Sequence, residues 1–262
     1  MVIALLTDFG TQDYFAGAMK GVILSINPNA KIVDITHEIP PQDIRAAAFT
    51  LRACCKDFPE KTIFVAVVDP GVGSNRKAIL VETGRYYFIA PDNGLLSFIS
   101  DKEKDFRVFE LANEKLFHHP ISRTFHGRDI FAPVAAHLSV GVKPNECGRE
   151  LEDFIRFETA KPKKISGEKI EAEVIHIDRF GNLITNLKRE DLPENFSVEI
   201  NGKIIDKLQN FYVEAKNGEI FMIFGSAGFL EIAASQDSAS KLLNTTVGER
   251  VSVSIIKPKK SA

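Results

Sequence analysis

Residues 65–76 read Val-Ala-Val-Val-Asp-Pro-Gly-Val-Gly-Ser-Asn-Arg. An apolar, β-branched run stops at a carboxylate, and proline and two glycines then force a tight turn before an arginine. This pattern describes a buried strand delivering Asp69 to its own C-terminal end, with a guanidinium a few residues on. In open α/β sheets the ligand crevice lies beyond the carboxyl ends of the strands, so Asp69 stands where chemistry is expected.

Outward from this stretch the same logic repeats. Residues 2–6 form an apolar strand broken by Thr7, Asp8, Phe9 and Gly10, with a second carboxylate at Asp13. Residues 14–26 carry a helical stripe of Phe15, Met19, Val22, Ile23 and Ile26, closed by Pro28. Residues 31–35 predict a strand and residues 42–58 an alanine-rich helix. Residues 78–82 and 86–90 predict a strand pair, the second ending in Pro91, Asp92, Asn93 and Gly94. Asp8, Asp69 and Asp92 thus each terminate a hydrophobic strand, and a parallel sheet gathers such ends along one edge. After a strand at 106–111, residues 124–129 (Thr-Phe-His-Gly-Arg-Asp) place His126 at the start of a helix running to about Val140.

From residue 161 the character changes. A Pro/Lys connector at 161–164 leads into short alternating strands at 169–177, 183–187, 197–205, 212–215, 219–224, 229–233 and 250–256, with Asn-Gly turns at 201–202 and 217–218. The expected architecture is an α/β N-terminal domain (1–160) with a mostly parallel central sheet, followed by an all-β C-terminal domain (161–262), a small β-barrel. Two of its loops are unusually polar. Asp178, Phe180, Asn182 and Asn186 share one, and residues 225–228 (Gly-Ser-Ala-Gly) form the other. A carboxylate, an aromatic ring and amides so close together suit a zwitterion or a nucleobase.

Bulk properties exclude several classes. The chain has 262 residues, is 44% hydrophobic and carries a formal charge of -2, which gives no electrostatic case for nucleic acid or an anionic membrane. No run approaches the length of a transmembrane helix and no basic leader precedes residues 2–6, so the expected location is cytoplasmic. The basic tail at 257–260 is expected to be a frayed, solubilising end. Three cysteines without spacing form neither a disulfide framework nor a metal motif. His118, His119, His126 and His137 also lack metal-ligand spacing, so no metal is expected.

Taken together, Leu-Thr-Asp-Phe-Gly at 6–10, Asp-Pro-Gly-Val-Gly at 69–73, Phe-His-Gly-Arg-Asp at 125–129, the 178–186 segment and the Ser226 loop resemble the S-adenosyl-L-methionine (SAM) hydrolases. These are also called SAM hydroxide adenosyltransferases, and they are related to SAM-dependent fluorinases and chlorinases. The five motifs stand in order over nearly the whole chain. The resemblance implies a homotrimer that binds SAM between one subunit's N-terminal domain and its neighbour's C-terminal domain, with SAM as substrate and no cofactor. It implies a catalytic set of Asp69, Arg76 and His126. It assigns ribose hydroxyls to Asp8, the methionine amino group to Asp13 and Asp178, adenine to Asn182, and the methionine end to Ser226. Phe211, or adjacent Tyr212 after a one-residue slip, stacks on adenine. Phe9, Asp92, Asn93, Phe180 and Glu231 complete the substrate-binding candidates.

Two departures from the halogenating relatives matter. They carry tyrosine at the His126 position and an extra N-terminal loop, so this chain favours water over halide. They also have arginine where this chain has Ala227, which leaves open the residue that binds the methionine carboxylate. The implied reaction is attack of water at the ribose C5′ carbon, giving adenosine and methionine. Asp69 and His126 contact the water, and Arg76 sets the angle of Asp69. A SAM-dependent halogenase and a non-catalytic SAM or adenosine sensor are the alternatives.

Overall fold

A computed structural model describes residues 1–103, 105–166 and 169–256. The expected tail at 257–260 lies outside the described residues. The chain divides into two compact units, residues Met1–Thr159 and Ala160–Ala262.

The first unit begins β1 (Val2–Thr7), α1 (Phe15–Ile26), β2 (Lys31–Thr36), α2 (Ile44–Cys54) and β3 (Ile63–Val67). It continues with β4 (Ala78–Thr83), β5 (Tyr87–Pro91), α3 (Ile99–Lys102), β6 (Phe106–Glu110), α4 (Ala132–Ser139) and β7 (Glu150–Leu151). The strands form one seven-stranded sheet in the order β2-β1-β3-β5-β4-β6-β7. Strands β2, β1, β3 and β5 are mutually parallel, whereas β4, β6 and β7 pair antiparallel. The expected mostly parallel sheet is therefore corrected to a mixed one. The link between β4 and β5 is only a few residues long, and a parallel connection needs a crossover of about a dozen.

The continuous apolar runs of β1 and β3 arise because both faces of the sheet are covered. Ile3, Leu5, Ile63, Val65 and Val67 pack with Met19 and Ile23 of α1 and with Val134 and Leu138 of α4. Ala4, Leu6, Phe64 and Ala66 pack on the other face with Ala47 and Leu51 of α2. Full burial of each large aliphatic side chain contributes about 1.5–3 kcal/mol, so the strands that lead into Asp8 and Asp69 are firmly seated on both faces. Helix α2 is shorter than its alanine-rich pattern: Asp43 caps it through the Ala46 amide (2.8 Å), and it tightens into a 3₁₀ turn at Cys55–Asp57.

The second unit contains β8 (Lys163–Ser166), β9 (Lys169–Ile177), β10 (Leu183–Lys188), β11 (Phe196–Ile200) and β12 (Lys203–Ile205). Strands β13 (Ile220–Phe224) and β14 (Phe229–Ala234), the short helix α5 (Ala239–Leu242) and β15 (Arg250–Ile255) complete it. All the strand pairs are antiparallel, in the order β12-β11-β15-β9-β10-β14-β13, with β8 added beside β9. Just beyond β12 the chain turns alongside β13: the Met222 amide donates to Lys207 O (2.8 Å) and the Gln209 amide to Met222 O (2.9 Å). This contact brings the two ends of the sheet together into a nearly closed, barrel-like form.

Three local expectations change. Residues 197–205 are a hairpin, because Asn201 (φ 47) and Gly202 (φ 75) supply the two positive φ values of a two-residue turn. Residues 212–215 are not a strand but contain a 3₁₀ turn, Tyr212–Glu214, whose Glu214 carboxylate accepts from the Asn210 and Phe211 amides. The 161–164 connector ends inside β8. No helix among the described residues is long and apolar enough to cross a membrane.

Candidate active site

Strands β1, β3 and β5 are parallel neighbours, with Thr7 level with Val67 and Val65 level with Ile89. Their C-terminal ends therefore share one edge of the sheet, which is where Asp8, Asp69 and Asp92 follow. At Asp69 the chain reverses through a turn closed by the Val72 amide on Asp69 O (3.2 Å). Gly73 has φ +78, and a Cβ there would lie 2.5 Å from Arg123 O. Only glycine permits the 69–76 loop to approach the 123–126 segment this closely.

That approach joins the three catalytic candidates. Arg76 Nε donates to Asp69 Oδ1 and Oδ2 (2.9 and 3.0 Å), and Arg76 Nη2 donates both to Asp69 Oδ2 and to His126 Nδ1, the latter at 2.7 Å. The pair is well buried, with side-chain exposures of 10% for Arg76 and 5% for Asp69. Arg76 also lies over the Phe131 ring, 5.5 Å from its centroid, and its amide donates to Ser74 Oγ (3.2 Å). A guanidinium has only donors. His126 Nδ1 must therefore be the acceptor, which puts the proton of the neutral ring on Nε2. Burial first, and the Arg76 charge second, push His126 below the usual histidine value; Asp69 and Asp129 pull weakly the other way.

His126 immediately precedes a π-helical turn, Gly127–Phe131, that leads into α4. Asp129 anchors this turn. Its fully buried carboxylate accepts from Arg128 Nε (2.6 Å) and Nη2 (3.1 Å) and from the Ser122 amide (2.7 Å). Gly127 fits against Phe9, Phe125 and Met19. Phe9 sits 5.8 Å from the Phe15 ring and 5.8 Å from the Phe125 ring, so its aromatic body packs within the unit.

The other candidates of the first unit have partners outside this trio. Asp8 Oδ2 accepts the Gln42 amide (2.8 Å). Asp13 is exposed in the turn before α1. Asp92 is buried, and its carboxylate accepts the Ile155 amide (2.7 Å); burial raises it above the ordinary aspartate value. Asn93 bridges backbone, donating to Val68 O (2.8 Å) and accepting from the Leu95 amide (3.2 Å).

In the second unit Asp178 organises its own loop. Oδ1 accepts the Phe180 and Asn182 amides, and Oδ2 accepts Asn182 Nδ2, each at 2.9 Å. Phe180 and Phe211 project into solvent, at 77% and 66% exposure. Ser226 lies on the turn between β13 and β14. Glu231, buried on β14, accepts from the Tyr212 hydroxyl at 3.2 Å. Burial, followed by the charge of Asp178, raises Glu231 despite that hydrogen bond, and burial beside Glu231 pushes Tyr212 up to about 12. A Cβ on Gly225 would lie 1.6 Å from Glu231 Oε1, so glycine there makes room for the carboxylate. The sequence singles out the 225–228 loop but not the space Gly225 leaves for Glu231, and the roles of Phe131 and Asp129 depend on contacts that no local pattern encodes. Among the described residues no group of three His, Cys, Asp or Glu side chains is arranged to hold a metal ion.

Comparison with known proteins agrees over both units. Residues 3–148 match the model of the SAM hydroxide adenosyltransferase N-terminal domain, and residues 172–252 that of the C-terminal domain. The (R)-S-adenosyl-L-methionine hydrolase of Methanocaldococcus jannaschii is 40% identical over 96% of this chain and 95% of its own. A fluorinase of an Actinoplanes species is 32% identical over 73% of each chain. A crystal structure of an uncharacterized conserved protein from Thermotoga maritima superposes with a TM-score of 0.90 at 37% identity, covering 96% of this chain and 99% of that one. With both halves matched in order, the chain belongs to the SAM hydroxide adenosyltransferase family.

Proposed function

We propose that the protein hydrolyses SAM to adenosine and L-methionine by attack of water at the ribose C5′ carbon. The observation that carries this reading is the Asp69, Arg76 and His126 constellation, held at a sheet edge in a chain of this family. The sulfonium is already a good leaving group, so the bond to sulfur needs neither an acid nor a cofactor to break. What the reaction needs is an oriented nucleophile. His126, protonated at Nε2, is a donor that holds the water oxygen; the Asp69 carboxylate, which keeps unused lone pairs beside Arg76, is the acceptor for the departing proton. As the C5′–O bond forms, the C5′–S electron pair passes to sulfur, leaving neutral methionine thioether. The proton passes through Asp69 to solvent. General-base assistance of this kind is worth about 10²- to 10⁴-fold.

Within the same reading, Asp8 takes the ribose hydroxyls, and Asp13 and Asp178 take the methionine amino group. Asn182 and Phe211 or Tyr212 hold adenine, and Ser226 and Glu231 line the methionine end. The N-terminal α/β unit carries the catalytic residues and the C-terminal β-barrel completes the SAM pocket in a cytoplasmic homotrimer, with sites at subunit interfaces. Support comes from two exposed rings in the second unit, Phe180 within the polar Asp178 loop and Phe211. Halogenation is the second reading, favoured by the fluorinase relative. Incubation with SAM in ¹⁸O-water containing chloride separates them by mass spectrometry. Labelled adenosine with methionine is expected; chloroadenosine, or bound but unconsumed SAM, overturns the hydrolase reading.

A further inference from the structure

A second histidine, distant in sequence from His126, lies under the loop that follows β1. Thr7 is completely buried and His37 is 5% exposed, and Thr7 Oγ1 meets His37 Nδ1 at 2.8 Å. The same hydroxyl accepts the Phe9 amide (3.2 Å), and the Gly10 amide donates to His37 O (2.7 Å). On its other side, His37 Nε2 lies 3.2 Å from Asp34 Oδ1 without a well-directed hydrogen bond, and Lys20 Nζ donates to Asp34 Oδ2 at 2.5 Å. A few residues on, the Gln42 amide, at φ 66, donates to Asp8 Oδ2. Residues 37–42 therefore grip residues 7–10 through the Gly10, Gln42 and Ile39 amides, the last donating to Thr7 O (3.4 Å), and through one buried hydroxyl. The imidazole is the part of that grip that reaches into the protein interior.

We infer that His37 is a positioning residue for the loop carrying Asp8 and Phe9. Its ring holds the Thr7 hydroxyl, which holds the Phe9 amide, and so sets where the Asp8 carboxylate stands at the end of β1. The inference rests on the reading of Asp8 as the group that takes the ribose hydroxyls. Under it, loss of the ring weakens substrate binding more than the chemical step, because none of the hydrogen bonds that join Asp69, Arg76 and His126 passes through Thr7 or His37. Loss of one such hydrogen bond corresponds to about a 5- to 10-fold weakening.

The test compares His37→Ala with His37→Asn in the full chain. Asparagine places a polar atom near the Nδ1 position and keeps a partner for Thr7 while losing the Asp34 contact. Expected for His37→Ala is a rise in KM for SAM of about 5- to 10-fold with a smaller change in kcat. Hydrogen exchange at the Phe9 and Gly10 amides accelerates beyond the rest of the unit, and His37→Asn restores most of both. A folded His37→Ala protein with wild-type KM and wild-type exchange at those amides overturns the inference. So does exchange raised evenly through the unit, or an asparagine variant no better than alanine. If the wild type itself leaves SAM unconsumed, the hydrolase reading fails, while amide exchange still decides whether His37 positions the loop.

Discussion

Replacing Arg76 with lysine keeps the charge and removes the fork. In the structure one guanidinium serves two partners, Asp69 through Nε and Nη2 and His126 Nδ1 through Nη2. A lysine ammonium is a point donor at the end of a flexible chain and cannot keep both at these angles. Retaining the charge avoids leaving the Asp69 carboxylate buried without a cation, a change that costs about 3–5 kcal/mol in comparable pairs. The remaining loss is one charge-assisted hydrogen bond, about 1.5–3 kcal/mol, which corresponds to about a 10- to 150-fold fall in kcat/KM. A second signature accompanies it. In the wild type, burial and Arg76 hold His126 below the ordinary 6.5, so the neutral ring that accepts from Arg76 persists further into acid; turnover is expected to hold at pH 6.5 and to fall only below it, where a proton on Nδ1 displaces the Arg76 donor. Once Nδ1 loses its donor it can take a proton, so the acid limb of the rate profile moves up toward 6.5. Adenosine formation followed by chromatography from pH 5 to 8 reads both effects. An Arg76→Lys protein with kcat/KM within about 3-fold of wild type and an unmoved acid limb would refute the assigned tautomer and the bridging role of Arg76.

Asp69→Asn removes the proposed proton acceptor while preserving shape; turnover should fall by about 10²-fold or more while SAM still binds by calorimetry. Equal loss of binding and turnover would place Asp69 in substrate binding instead. Gly73→Ala forces a Cβ against Arg123 O from a left-handed backbone, so a loss of about 1–3 kcal/mol in denaturant unfolding is expected, with turnover reduced because the Arg76 loop can no longer seat against His126. Gly225→Ala should displace the Glu231 carboxylate and raise KM for SAM with the fold retained by circular dichroism; unchanged KM would remove Glu231 from the methionine end.

Much of this protein is legible in its sequence alone. Unbroken apolar runs that lead into Asp8, Asp69 and Asp92 announce buried strands, because a strand covered on both faces has no need of alternating polar residues. Asn201-Gly202 announces a tight hairpin turn, and the structure has one there: its two positive φ values divide the 197–205 span into two paired strands. The family motifs identified Asp69, Arg76 and His126 as a set. What a linear pattern cannot carry is direction. Strand order and the antiparallel half of the first sheet follow from how short links are closed in three dimensions. Asp8 and Asp92 look equivalent in sequence, yet one faces the Gln42 amide beside the catalytic edge and the other is buried against Ile155. Arg76 and His126 lie fifty positions apart, and only packing around Gly73, Gly127 and Phe131 points Nη2 at Nδ1. Residue type determined which chemistry was available; the tertiary contacts determined which nitrogen of His126 holds the proton, because a donor-only guanidinium had to find an acceptor there.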